Sequence, residues 1–261
     1  MIKLKKWTKA YNDLKEIYLK EFLTRWDEGE KVALGIDRYL SSLKIKPKKK
    51  ILDMPAGIGR ISIPLCKFGY EVVGIDSSEY FVKYANRLLE KERCSSCRFL
   101  VSDMLSSFDI VQDFKPEVIL NWWTSIGYGE KRDDVKLLTE LYHAVDNGTF
   151  LFIETWQRHY VLNNPIKRWW SPVEDMLVLI ENDIEPLRDN VVSSHTYYKR
   201  TIDGGLKLLS GFTSSIILYD ANELKDLIEQ CGWNVQSAFN SIETQVDFKP
   251  NEDRIVLVAQ K

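Results

Sequence analysis

Four residues able to hold a polar ligand, Asp53, Asp76, Asp103 and Asn121, stand at or just beyond the ends of short apolar runs: Ile51-Leu52-Asp53-Met54, Glu71-Val72-Val73-Gly74-Ile75-Asp76, Phe99-Leu100-Val101 and Val118-Ile119-Leu120-Asn121. Asp53 opens the turn Asp53-Met54-Pro55-Ala56-Gly57-Ile58-Gly59-Arg60, whose small residues let backbone atoms approach a ligand without obstruction. Asp76 is an acceptor placed to take both hydroxyls of a ribose. In Ser102-Asp103-Met104 a carboxylate able to hold an exocyclic amine precedes an apolar side chain able to cover a flat base. Each piece has a plainer reading: the glycine turn as packing punctuation, Asp76 and Asp103 as helix caps, Met104 as core and Asn121 as a strand end. Their joint occurrence, in order, at four successive run ends favours one nucleoside-shaped set of partners.

The elements that must position these residues follow from periodicity. Trp7, Tyr11, Leu14, Tyr18 and Phe22, then Val32, Ile36, Tyr39, Leu40 and Leu43, recur at helical spacing and predict two amphipathic helices, broken by Pro47 and a lysine run. From Ile51 the apolar runs, with Phe150-Leu151-Phe152-Ile153-Glu154 as a fifth, alternate with helical segments, the pattern of a parallel sheet with crossover helices. One such helix should bury Tyr80, Phe81, Tyr84, Leu88 and Leu89; another, started by Asp133 and stopped at Gly148, should bury Val135, Leu138, Leu141, Tyr142 and Val145. Residues 157–219 interrupt the rhythm with an aromatic segment and two β-rich runs, Val191 to Ile202 and Leu206 to Leu218, joined by Asp203-Gly204-Gly205 as a tight hairpin turn. Asp220 and Glu223 then form a capping box, Gly232 ends that helix, and strands near Val235 to Phe239 and Arg254 to Ala259 close the chain. The expected fold class is α/β: a Rossmann-like, doubly wound seven-stranded sheet with its last strand antiparallel. Its expected units are an N-terminal helical cap (1–46), a ligand-binding domain (47–156 and 220–261) and an inserted antiparallel β lid (157–219).

On these residues, Ile51 to Tyr128 resembles the core of the class I S-adenosylmethionine-dependent methyltransferases, in a subgroup where proline replaces the first glycine of the acidic-x-Gly-x-Gly-x-Gly loop and arginine follows the last. The resemblance implies S-adenosylmethionine as cofactor and S-adenosylhomocysteine as product. It implies that Asp53 orients the loop near the ligand's amino group, that Ala56, Gly57 and Gly59 meet the methionine part through backbone, and that Arg60 reaches its carboxylate. Asp76 would bind the ribose, Ser77 would line the adenine, Asp103 would accept from its amine and Met104 would pack on its ring. Asn121 would offer its backbone carbonyl, or its amide, to the ammonium, with Trp122 among the cofactor-binding residues. Pro55 fixes φ and removes one donor from this loop. The turn is too short and too poor in glycine to cradle a pyrophosphate, which disfavours a nicotinamide enzyme.

Methyl transfer from a sulfonium is a direct displacement in which holding the reactants in line contributes about 7 to 11 kcal/mol, so no strong base is obligatory. Where the acceptor must lose a proton, His159, Glu154 and Tyr128 are the catalytic candidates by position. His143, off its helix's apolar stripe, and His195, in the lid hairpin, read as surface residues. Trp122, Trp123, Tyr128, Trp156, Tyr160, Trp169 and Trp170 are either core or an aromatic cage for the acceptor. Cys94 and Cys97 have half-zinc spacing but lack a second pair, so a local disulfide or two thiols is expected, and no metal. Thirty-six basic residues against 38 acidic, a net charge of −2, give no global attraction for nucleic acid. No run approaches the ~18 apolar residues of a membrane span, and the lysine-rich start is not a signal core. The expectation is a cytoplasmic methyltransferase for a small molecule, with no nucleic-acid or membrane partner. The alternatives are an RNA or protein methyltransferase, disfavoured by charge and by Asn121-Trp122-Trp123-Thr124 where an Asn-Pro-Pro-Tyr motif would stand, and a cofactor-binding sensor without turnover.

Overall fold

The computed structural model describes residues 14–44, 49–184, 187 and 189–261. Trp7, Tyr11 and Pro47 lie outside them. Helix α1 (Lys15–Thr24) buries Tyr18, and α2 (Trp26–Ser42) buries Val32, Ala33, Ile36, Tyr39 and Leu40; of the stripe its spacing predicts, Leu43 alone is exposed, because it stands at the C-cap beyond the last turn. Then come β1 (Lys50–Asp53), α3 (Ser62–Lys67), β2 (Glu71–Asp76), α4 (Glu79–Glu92), β3 (Cys97–Val101), a 3-10 turn (Met104–Ser106), α5 (Phe108–Phe114) and β4 (Val118–Asn121). Helix α6 (Lys131–Ala144), β5 (Phe150–Trp156), α7 (Arg158–Asn163), β6 (Arg168–Val173), β7 (Met176–Ile184), β8 (Asn190–Arg200), β9 (Leu206–Ile217), α8 (Ala221–Gln230), β10 (Asn234–Phe239) and β11 (Arg254–Gln260) complete the chain.

The main sheet has seven strands in the order β10-β11-β5-β4-β1-β2-β3, with β11 antiparallel to both neighbours and the other pairings parallel. The fold is the Rossmann-like doubly wound sheet. Its strands are buried on both faces. In β11, Val256 and Val258 join the layer under α2, α3 and α4, whereas Ile255, Leu257 and Ala259 join the layer under α5, α6 and α8. Each fully buried aliphatic side chain in these layers contributes about 1.5–3 kcal/mol. The order places the topological switch between β1 and β4, where crossovers leave in opposite directions and a crevice opens at the strand ends. The register pairs Asp53 with both Gly74 and Leu120, and Asp76 with Val101, so the predicted ligand residues share one rim.

Two helix readings shift. Helix α4 turns Phe81, Val82, Ala85 and Leu89 inward, and Tyr80, Tyr84 and Leu88 flank that stripe. Helix α6 begins earlier than expected, because Glu130 is its N-cap and Asp133 the reciprocal partner in a capping box. Its buried residues are Asp134, Leu137, Leu138 and Leu141, while Val135 is exposed. The shift follows from Asp134, which turns inward to accept from Gly127 N (3.0 Å) and the Tyr219 hydroxyl (2.6 Å).

The insert is larger than a hairpin. Strands β8 and β9 pair antiparallel around the Asp203-Gly204-Gly205 turn as predicted, but β6 and β7 extend them to a four-stranded sheet, β6-β7-β8-β9. Its inner face, with Val173, Met176, Val178, Ile180, Tyr197 and Phe212, packs on Leu14, Tyr18, Ile58 and Phe81. This third core ties the insert to the cap helix and to the rim. Arg158 anchors the other end, pairing with Asp189 (2.8 Å), Asp220 (3.2 Å) and Glu223 (2.7 Å) at the start of α8. At Gly127 the core touches β9 directly: an added Cβ would lie 2.2 Å from the Ile217 carbonyl oxygen, on a backbone at φ +89°.

The four cysteines are thiols, and among the described residues no group of three or more His, Cys, Asp or Glu is arranged to hold a metal ion. No helix among the described residues is long and apolar enough to cross a membrane.

Candidate active site

A cavity of about 880 Å³ opens where the rim, α1 and the insert meet. Asp53, Ala56, Gly57, Arg60, Asp76, Ser77, Asp103 and Met104 line one half of it. The turn after β1 is pinned to β2: Ala56 N donates to Ile75 O (2.8 Å) and Gly57 N to Asp76 Oδ2 (2.8 Å), while Ser78 N donates to Asp76 Oδ1 (2.8 Å). Each Asp76 oxygen therefore keeps a further lone pair for a ligand. Burial raises the carboxyl's pKa, and the two backbone donors oppose that rise. Asp103 caps the 3-10 turn through Leu105 N (2.8 Å) and still faces the cavity. Asp53 is 2% exposed and accepts from Ser62 Oγ (2.6 Å); burial pushes its carboxyl up to about 7.

Three members of the expected set do not line the cavity. Gly59 faces the core, where an added Cβ would lie 2.5 Å from the Phe99 ring. Trp122 is 2% exposed within the layer under α2, so it supports the rim from behind. Asn121 also lies behind the wall, with Nδ2 donating to Met54 O (2.9 Å); its Oδ1 is buried and has no hydrogen-bond partner among the described residues. Arg60 lines the cavity with its guanidinium donating to Arg25 O (3.1 Å) and stacked over Trp123 (4.5 Å) and Phe22 (5.2 Å).

These residues fit an S-adenosylmethionine-shaped group. Gly57, at φ +56°, leaves a cradle in which an added Cβ would meet within 4 Å only the Phe22 ring, at 3.8 Å. Beside it the Asp76 carboxylate and the buried Asp53 carboxyl line the cavity.

The other half of the cavity is built by α1, the loop after β4 and the insert. Tyr18, Glu21 and Phe22 enter from α1 and Arg25 from its C-cap, and Trp123, Tyr128, Trp156, Tyr160 and Trp169 add aromatic walls. Two of these faces are already covered by the chain's own cations, Trp123 by Arg60 and Trp156 by Arg254 (4.3 Å). Trp170 is exposed and lies outside the cavity lining.

The structure separates the three base candidates. Tyr128 lines the cavity. His159 does not: it is exposed, shares a hydrogen bond with Asn163 (2.9 Å) and borders a different hollow beside Gln157 and Asp220. Glu154 is buried and fully engaged, accepting from Trp123 N (2.8 Å) and pairing with the Arg254 guanidinium. It holds a strained loop, because Trp123 and Thr124 adopt φ +60° and +58°. His143 is exposed, as its position off the apolar stripe predicts.

His195 corrects the surface reading. It is half-buried, stacks on Phe212 at 4.8 Å and lines the cavity, because even-numbered and odd-numbered residues of β8 face opposite ways and it shares a face with Tyr197. Burial pushes its pKa from 6.5 down to about 4. The fold therefore prefers the neutral ring, and its contribution is present above pH 6.5 and lost as pH falls towards 4. Amide protection factors in β8 and β9 should fall as pH drops over that window, and His195→Gln should remove the dependence.

Glu21, Arg254 and Asp134 were missed by sequence reasoning. Glu21 had a legible signal: an acidic residue between Tyr18 and Phe22 on the stripe that faces the core.

Comparison with known proteins agrees with this architecture. Residues 51–148 match the family described as a methyltransferase domain. Over 117 residues the chain is 26% identical to a tRNA (uracil(54)-C(5))-methyltransferase of Pyrococcus furiosus, covering 39% of this chain and 28% of that protein. The structure is similar over 96% of its length to 98% of an S-adenosylmethionine-dependent methyltransferase from Clostridium acetobutylicum, at TM-score 0.78 and 16% identity. It is also similar to the sugar N-methyltransferase KedS8 from Streptoalloteichus, at TM-score 0.65 and 15% identity, covering 88% and 87% of the two chains. The chain spans between 14% and 38% of the length of the curated relatives it matches.

A seven-stranded sheet of this order, with the cavity at the β1–β4 switch, defines a doubly wound Rossmann-like fold. The matched segment makes it more specific: residues 51–148 match a methyltransferase-domain family, and the fold is that of S-adenosylmethionine-dependent methyltransferases.

Proposed function

We propose that the protein methylates a small molecule enclosed between the rim, α1 and the insert. The observation that carries this reading is the shared cavity: the proposed cofactor residues and the aromatic residues of α1 and the insert border one volume of about 880 Å³, the size of a site for two small molecules. When bound, the cofactor supplies a sulfonium methyl group, a strong electrophile. Asp76 takes the ribose hydroxyls, Asp103 and Met104 take the adenine, and Asp53 and Gly57 take the amino-acid end. The insert's inner face closes the opposite side and keeps water from the reacting atoms.

Relatives acting on RNA and on a lysine of a protein match 39% and 38% of this chain, which leaves the acceptor side to be judged from its own residues. The net charge of −2 supports a small acceptor over a polyanion. The test is transfer of labelled methyl from S-adenosylmethionine to separated small-molecule, RNA and protein fractions of the source organism. Label in the small-molecule fraction is the expected result. Label confined to RNA or protein overturns the reading, and stoichiometric cofactor binding with no transfer to any fraction assigns a sensor instead.

A further inference from the structure

Resting on the small-molecule reading, we infer that Glu21 of α1 is the acceptor-side carboxylate that binds an amine substrate and takes its proton, so that the protein is an N-methyltransferase.

Glu21 lines the cavity between Tyr18 and Arg25, on the side formed by α1 and the insert. Its carboxylate has no hydrogen bond or ion pair among the described residues. The two nearby cations are held elsewhere: Arg25 by both oxygens of Glu28 (3.1 and 3.0 Å), and Arg60 by the Arg25 carbonyl and the rings of Phe22 and Trp123. Among the described residues of the insert that line the cavity none adds a charge, since His195 is neutral at physiological pH, and Tyr197 beside it is protonated. A desolvated carboxylate beside aromatic walls favours an ammonium group over a hydroxyl or an anion.

The electrostatics suit proton transfer as well as binding. Burial pushes the Glu21 carboxyl up to about 7, against the opposing charges of Arg25 and Arg60. A base is most effective with a pKa near the working pH. By contrast, Glu154 is already engaged by Arg254 and Trp123 N, and His159 lies outside this cavity.

The step balances as follows. An alkylammonium nitrogen passes one proton to a Glu21 Oε and regains its lone pair. That pair forms the N–C bond as the C–S bond of the donor breaks, and sulfur keeps the electrons of the broken bond as a neutral thioether. The positive charge ends on the methylated ammonium, and Glu21 returns its proton to water when the product leaves.

The experiment uses the full chain with S-adenosylmethionine carrying a ¹³C-methyl group and the small-molecule fraction that accepts label. The ¹³C shift of the product methyl identifies the atom it joins. Wild type, Glu21→Gln and Glu21→Asp are compared for kcat against pH, and for S-adenosylhomocysteine affinity by calorimetry, which also verifies folding. The expected results are an N-methyl product, a fall in kcat of about 10²-fold for Glu21→Gln, loss of the wild-type rising limb near pH 7 and partial recovery in Glu21→Asp. S-adenosylhomocysteine affinity should change by less than about threefold, far below one strong hydrogen bond. An O- or C-methyl product, full turnover by Glu21→Gln, or a large loss of S-adenosylhomocysteine affinity each overturns the assignment. Label found only in RNA or protein instead removes the small-molecule reading on which it rests.

Discussion

Asp76→Ala is expected to weaken S-adenosylhomocysteine binding by about 10²-fold in calorimetry, the equivalent of one or two hydrogen bonds to a charged group at about 1.5–3 kcal/mol each. The expectation follows from the number of partners one carboxylate serves. Asp76 holds Gly57 N and Ser78 N at 2.8 Å and so fixes the turn after β1, while its remaining lone pairs face the cavity. Alanine removes the ligand's acceptor and frees the loop that carries the Gly57 cradle. Asp76→Asn keeps one oxygen and should lose about tenfold. An Asp76→Ala protein with wild-type affinity would show that the ribose is bound elsewhere.

Glu154→Ala is expected to cost about 3–5 kcal/mol of unfolding free energy, read from urea denaturation, because it leaves a shielded arginine without its counter-charge. Arg254 pairs with Glu154 and lies over Trp156, and its side chain is about one quarter exposed. The same carboxylate holds Trp123 N, at the first of two consecutive non-glycine residues in the left-handed region. Without it, Trp123 and Thr124 have less reason to keep φ values of +60° and +58°, and the wall between cofactor and acceptor loosens. Glu154→Gln, which keeps an acceptor for Trp123 N but no charge for Arg254, should fall between the two. A loss below about 1 kcal/mol in Glu154→Ala would contradict this role.

The parallel core was legible because each of its strands is short, apolar and followed by a polar residue or a small-residue turn. Asp53, Asp76, Asp103 and Asn121 are all found near that rim, as expected of residues leaving parallel strands at the same end. Depth was less legible than position. Trp122 and Asn121 follow the right strand but stand behind the cavity wall, since β4 is central and buried on both faces. Strands β6 and β7 were hidden for a related reason: Met176-Leu177-Val178-Leu179-Ile180 is apolar on both faces, and Leu179 and Trp170 stay exposed on the outer one. Such a run has no period of two to read. His195 was misplaced because the hairpin was visible while the sheet on which it packs was not. Glu21 was legible as an acidic residue on the core-facing stripe of α1, but what it faces, the insert's inner side, is not given by local spacing.

The cap helix and the insert thus share a task with the Rossmann-like core. The core's rim places the Asp53, Asp76 and Asp103 carboxyls along one side of the cavity, whereas α1 and the insert, joined through Tyr18, Val178, Tyr197 and Phe212, form the opposite wall. A crystal structure of the protein with S-adenosylhomocysteine tests that division most directly. The ligand should lie along the rim, with its ribose on Asp76, its adenine beside Asp103 and Met104, and its thioether sulfur turned towards Glu21 and the insert. A ligand seated in the hollow beside His159 and Asp220, or with its sulfur turned away from α1, would contradict the account.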